Sequence, residues 1–297
     1  MSNLEESDDY IHKPNERPEW RESYYFNWVD IEQEISGFST IGLLPNTASR
    51  EFVFALFYDN KRTVHFFEPK GQIPTSMEDA LSDGKLSFHI LKPMQEWRID
   101  YVSDGMKAEI IWNGRFSPFD FGKGSGTSWS GHFEHSGLVS GSIQLSDGRK
   151  FEIKGFGHRD KSWGVRDWHI EGWYALHAQF EDVSIGLRRD QVKGDIHVSG
   201  GISTADGNTP IVKAELETTF IESPTKMPVG AITKVYGEDG SVYTIKSDTI
   251  SDTSFVRFER QFPGGRTELF ENMATHECAE IGAKGTGLIE WLFTNKE

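Results

Sequence analysis

Alternation with period two dominates this chain. Residues 51–58 form a strongly β-prone run stopped by Asp59-Asn60, and residues 64–67 form another that ends at Pro69. Residues 86–90 and 97–102 alternate apolar and polar positions, and in the second half residues 173–180, 183–187, 242–245, 255–258 and 288–293 behave the same way. Short β-prone segments bounded by turn residues predict an all-β sandwich or barrel. Asp147-Gly148, Asp206-Gly207 and Asp239-Gly240 lie between such runs as hairpin signals. The best helical signal is short, at residues 75–81, where Thr75 and Glu78 have capping-box spacing.

No Pro/Ser linker or low-complexity tract divides the chain. The weakest point is near residues 146–150, which predicts two β-barrel-like halves, 19–148 and 149–297, packed together. Residues 1–18 carry charge, Pro14 and Pro18 and few apolar groups, and are expected to form a mobile or loosely docked lead-in. Residues 1–6 lack the basic-then-apolar pattern of a signal peptide. No apolar run approaches the ~20 residues that span a bilayer. A cytoplasmic location is the expectation.

Composition narrows the function. The net charge of −15 argues against nucleic acid and against anionic membrane surfaces as partners. The single cysteine, Cys278, excludes an intrachain disulfide and a cysteine-cluster zinc site. Only 36% of residues are hydrophobic, yet 13% are aromatic, a polar average rich in rings.

Chemistry concentrates in one stretch. Residues 151–158 read as a strand running into Arg159-Asp160-Lys161-Ser162-Trp163-Gly164-Val165-Arg166-Asp167-Trp168-His169, two Arg-Asp pairs each beside a Trp. One reading is structural: an Arg/Asp ladder locking the joint between two β units, plugged by Trp163 and Trp168. The other is a polar floor to an apolar pocket, with Asp160 or Asp167 as a general acid or base. On a strand at residues 172–180, Trp173, Ala175, His177 and Gln179 share one face, a mixed surface suited to a ligand. Tyr174, Leu176, Ala178 and Phe180 share the other, which faces the core.

Other chemistries leave weaker traces. His132 and Glu134 share a strand face, but His132 and His135 fall on opposite faces and cannot ligate one ion, so no metal is called for. Neither a G-x-S-x-G elbow nor a P-loop is present, and residues 122–128 lack phosphate-loop spacing. No cofactor is expected.

Gly155-Phe156-Gly157-His158-Arg159-Asp160-Lys161-Ser162-Trp163-Gly164-Val165-Arg166-Asp167-Trp168 resembles the central motif of the carotenoid hydratase (hydroxyneurosporene synthase) and AttH-like superfamily. It is most similar to the bacterial branch carrying G-x-G-x-R-D-x-S-W-G-x-R-D-W. Residues 18–26 and 285–291 support the likeness near both ends. The resemblance implies two lipocalin-like antiparallel β-barrel halves around an apolar cavity, and a hydratase, dehydratase or cyclase acting on isoprenoid-like or polycyclic molecules. One departure matters: carotenoid hydratases carry a His where this chain has Lys161, so a role resting on that His does not transfer.

Protonating an alkene creates carbocation character that a dry, aromatic cavity stabilises, by ~0.5–2 kcal/mol per well-placed ring. The assignment to test is Asp160 as acid, His177 or Tyr174 as proton relay, and Trp163 and Trp173 as cation-facing rings. His158 and Trp168 would line the substrate, and Arg159, Arg166 and Asp167 would hold the loop rigid. The rival is a non-catalytic carrier or sensor of a hydrophobic ligand using the same shell. A concerted cyclase needing only shape and one hydrogen-bond donor is a third reading. Oligomeric state leaves no trace in the sequence.

Overall fold

The computed structural model describes residues 4–122, 129–166, 168, 170–221 and 226–296. The protein is all-β, in two compact units, residues 1–166 and 167–297. The first contains β1 (Trp20–Asp30), β2 (Ile35–Leu44), β3 (Ser49–Tyr58), β4 (Lys61–Phe67), β5 (Leu86–Lys92), β6 (Glu96–Ser103), β7 (Met106–Gly114), β8 (Phe119–Asp120), β9 (Gly131–Gln144) and β10 (Lys150–Val165). The second contains β11 (Gly172–Gln179), β12 (Ser184–Val192), β13 (Asp195–Thr204), β14 (Gly207–Ile221), β15 (Met227–Gly237), β16 (Val242–Thr249), β17 (Phe255–Phe262), β18 (Gly265–Cys278) and β19 (Ala283–Lys296).

Turn chemistry places the hairpins where the sequence signals them. Asp59 and Asn60 both adopt positive φ, 50° and 52°, and join β3 to β4 through the Tyr58↔Lys61 pair. The three Asp-Gly pairs fall between β9 and β10, β13 and β14, and β15 and β16. The short helix α1 (Met77–Ala80) is present, but its cap is Ser76, which accepts the Asp79 amide at 3.1 Å, rather than Thr75.

In the first unit the strand order is β4-β3-β2-β1-β10-β9-β7-β6-β5, with β8 on β9. The sheet curls on itself, so rings from distant strands meet: Phe54 of β3 stacks on Tyr101 of β6 at 4.2 Å, and Phe26 of β1 meets Phe88 of β5 edge-on at 5.3 Å. Glycines on the inner face make beds for flat rings. A Cβ at Gly37 would lie 2.6 Å from Trp28, and one at Gly137 would lie 2.4 Å from Trp112.

The second unit closes fully. Its order β16-β15-β14-β13-β12-β11-β19-β18 is completed by a β16–β18 ladder, giving an eight-stranded antiparallel barrel with β17 added on β18. Leu176, Ile185, Leu187, Val235, Ile245 and Ile289 are among the residues packing its interior.

The division between units lies after Arg166 rather than at 148/149, because β10 is hydrogen-bonded to β1 on one side and β9 on the other. Residues 155–165 of the motif thus lie on a central strand of the first sheet, and the boundary between the units falls inside the motif, after Arg166. No helix among the described residues is long and apolar enough to cross a membrane.

Candidate functional site

Strand β10 sets two different chemistries on its two faces. Its register with β1 pairs Phe26 with Arg159, Tyr24 with Lys161 and Glu22 with Trp163, and all of these point to the interior of the first unit. On the other face stand His158, Asp160 and Ser162. Asp160 and Trp163, expected in one pocket, therefore lie on opposite faces of the same strand.

The inner face holds two buried ion pairs. The Arg159 guanidinium donates to Asp9 at 2.6 Å, with exposures of 1% and 0%, and lies 5.3, 5.2 and 4.9 Å from the rings of Trp97, Trp112 and Phe133. The Lys161 ammonium donates to Glu22 and sits 4.4 Å from the Tyr24 ring. Burial works against charge on Glu22, but Lys161 and then His12 outweigh it and hold the carboxyl below its ordinary value. Burial, reinforced by the Glu22 and Asp9 charges, pushes the Tyr24 hydroxyl far up, so it stays a donating phenol. His135, buried and repelled by Arg159, is pushed down to about 3 and is neutral, donating Nε2–H to the Phe116 carbonyl at 2.6 Å.

The N-terminal segment belongs to this cluster. Asp9 accepts from Arg159 with one oxygen and from the Met94 amide with the other. His12 donates Nδ1–H to Glu22 at 2.9 Å and lies flat on Trp163, with ring centroids 3.8 Å apart at 6°. Residues 4–18 are docked against the sheet, where Asp9 meets Arg159 and His12 meets Glu22.

The outer face gathers polar groups of a different kind. Asp160 stands between Tyr25 on β1 and Glu134 on β9 in the cross-strand register. His158 donates Nε2–H to Glu134 at 3.1 Å, and His132 lies 3.7 Å from the same carboxylate. Glu134, His132, His158 and Tyr25 are buried and Asp160 half-buried. Arg166 fastens the end of β10, its side chain donating to Ser162 at 2.7 Å and its amide to the Glu19 carbonyl at 3.0 Å.

In the second unit, β11 separates the remaining candidates. Tyr174 faces the barrel core with Leu176 and Ala178, paired to Thr233 at 2.8 Å, and burial pushes its hydroxyl up. His177 and Trp173 take the other face, so Tyr174 does not share a site with them. The Trp173 indole donates to Glu290, the Arg188 guanidinium lies 3.8 Å over its ring, and Trp168 packs beside it at 5.6 Å. Asp167, His169 and residues 123–128 lie outside the described residues.

Asp9, His12 and Glu22 were missed as functional candidates. Glu22 falls in a stretch already notable for its resemblance, residues 18–26, but nothing local marks it as the partner of Lys161. Glu134 was half visible, through its shared face with His132.

Residues 5–295 match the family model described as Domain of unknown function (DUF7064), and the chain belongs to that family. No curated protein matches the sequence. Among solved structures, kievitone hydratase from Nectria haematococca is similar with a TM-score of 0.64 at 12% identity, covering 91% of this chain and 88% of the other. A protein assigned as AttH from Nitrosomonas europaea gives 0.69 at 15%, covering 92% of each chain. CghA with Sch210972 gives 0.66 at 10%, covering 94% and 89%. At such identities these likenesses establish the shared fold.

Proposed function

We propose that this protein is a hydratase, dehydratase or cyclase that uses acid–base chemistry, without a cofactor, on a hydrophobic isoprenoid-like or polycyclic small molecule. The observation that supports this reading is the opposed Asp160–Glu134 pair on the motif strand and its neighbour, with His158 hydrogen-bonded to Glu134. Directly opposed carboxyls are a costly arrangement on a ladder, which a strand with a purely structural task has no use for. Asp160 gives its proton to an alkene carbon, and water attacks the resulting cation. The carboxylate then takes a proton from the added water, so the acid is regenerated. His158 orients Glu134 through the 3.1 Å hydrogen bond. His177 is retained as a relay candidate, and Trp173 as a ring candidate, to be tested by their own variants.

The similar structures include a protein named as a hydratase, and carrying that activity class to this chain is part of the proposal, as is assignment to the bacterial motif branch. The test is mass spectrometry of ligand retained through purification, followed by incubation of that compound with fresh protein. Turnover should appear and should fall by ~10²–10⁴-fold in Asp160→Asn. Full turnover by a folded Asp160→Asn would remove Asp160 as the acid, and recovery of an unchanged ligand without turnover would make the protein a carrier.

A further inference from the structure

The Arg159–Asp9 pair is closed by a third residue, Met94, in the turn between β5 and β6. Arg159 donates to Asp9 Oδ1 and the Met94 amide to Asp9 Oδ2, while Met94 Sδ accepts from the Arg159 guanidinium at 3.7 Å. One residue thus grips both members of an ion pair whose side chains are exposed by 1% and 0%.

Met94 holds this place against its own backbone preference. The Gln95 amide bonds back to the Lys92 carbonyl at 3.0 Å, with Pro93 second in the turn and Met94 third at φ 59°. That is the pattern of a type II turn, where Gly or Asn ordinarily fills the third position. A long L side chain is disfavoured there and persists where its surroundings fix it. The contacts with Asp9 and Arg159 supply that fixing.

The thioether is also oxidisable. Met94 is half-buried in its turn, whereas Met106 and Met273 are exposed by only 4% and 0%. When hydrogen peroxide attacks, its O–O bond breaks, one oxygen bonds to Sδ and the other leaves as water. Sulfur gives up an electron pair and the peroxide takes it, leaving the sulfoxide. Sulfur then carries partial positive charge beside the guanidinium, in place of a lone pair directed at it, and the new S–O dipole seeks water. The turn moves outward, and its amide leaves Asp9.

We propose that Met94 is a redox-sensitive clasp, whose oxidation by hydrogen peroxide to the sulfoxide releases residues 4–18 from the sheet. Arg159 lies on the face of β10 opposite Asp160, and the proposal does not depend on the acid–base reading.

The test is hydrogen–deuterium exchange of the full chain, read by mass spectrometry before and after brief treatment with hydrogen peroxide. The Met94 sulfoxide should form well ahead of those of Met106 and Met273. Exchange across residues 4–18 should then rise about tenfold, the size of one lost hydrogen bond. Methionine sulfoxide reductases should restore slow exchange. Met94→Leu keeps an apolar side chain without sulfur and should not respond to peroxide. The double variant Met77→Leu/Met227→Leu removes the other half-buried methionines among the described residues. It should respond as the parent does, and it carries the test if Met94→Leu does not fold. The proposal is overturned if Met94 stays a thioether while the buried methionines oxidise, or if its sulfoxide forms with exchange across residues 4–18 unchanged. A response of Met94→Leu as large as the parent's overturns it too.

Discussion

The two units bury their interiors in contrasting ways. The side chains of the second barrel's core cluster are neutral, with Tyr174 bonded to Thr233 at 2.8 Å, Trp291 to Thr218 at 3.3 Å and, among the described residues, Cys278 donating to Glu280 at 3.3 Å. The first unit encloses Asp9 with Arg159 and Glu22 with Lys161 among tryptophan rings. A buried ion pair is a weak source of stability, since desolvating each ion costs several kcal/mol and well-packed apolar residues often serve as well. Nothing in the folding of a β-sheet of this kind requires those charges. The difference teaches that apolar packing suffices for the second core cluster, whereas the first unit holds buried charged pairs besides.

The largest way to press on that contrast is acid. His135 in the first unit and His276 in the second are both pushed down from 6.5 to about 3, foremost by burial. The unfolded histidines bind protons near 6.5 and the folded ones only near 3. Stability is therefore full above pH 6.5 and falls as pH drops through that window, in both units. Glu22, held below 4.5, adds stability above 4.5 that is lost as pH falls through its lower folded value. It is buried in the first unit, whereas the lowered carboxyls of the second unit, Glu215, Asp239 and Glu280, are exposed and weakly coupled to folding. Urea unfolding followed between pH 7.5 and 4 should show a common decline. Below about pH 4.5 the first unit should fail ahead of the second. A single coincident transition throughout would erase the distinction.

Lys161→Met comes next. It strands Glu22 without its cation and should cost ~3–5 kcal/mol in chemical unfolding. Adding Glu22→Gln to it should recover most of that loss, because the uncompensated charge is gone. His12→Ala should follow at ~2 kcal/mol, through the lost charge-assisted bond to Glu22 and the stack on Trp163. Limited proteolysis should then cut within residues 4–18. The smallest effect is expected from Tyr174→Phe in the neutral barrel, ~1 kcal/mol for one hydrogen bond to Thr233. If Lys161→Met cost no more than Tyr174→Phe, the two interiors would be energetically alike.

What the sequence determined by itself is the part governed by neighbours along the chain. Period-two alternation specifies strands, Asp-Gly and Asp-Asn pairs specify their turns, and alternation also sorts Tyr174 from His177 and Trp173 on β11. The density of charge and rings around Asp160 and Trp163 marks where to look. Only the tertiary structure decided the rest. On β1 every residue is buried, so alternation tells which side chains share a face but not which face is the interior; pairing with β2 and β10 decides that. The division of the chain moved for the same reason, because β10 is held by β1 far earlier in the sequence. Arg159 finds Asp9 across 150 positions and Lys161 finds Glu22 across 139. No local pattern encodes such pairs, since a buried charge is neutralised by whichever element the fold brings against it. Residues 4–18 carry little periodic pattern of their own, and their placement follows from the charges and the ring that the sheet presents to Asp9 and His12.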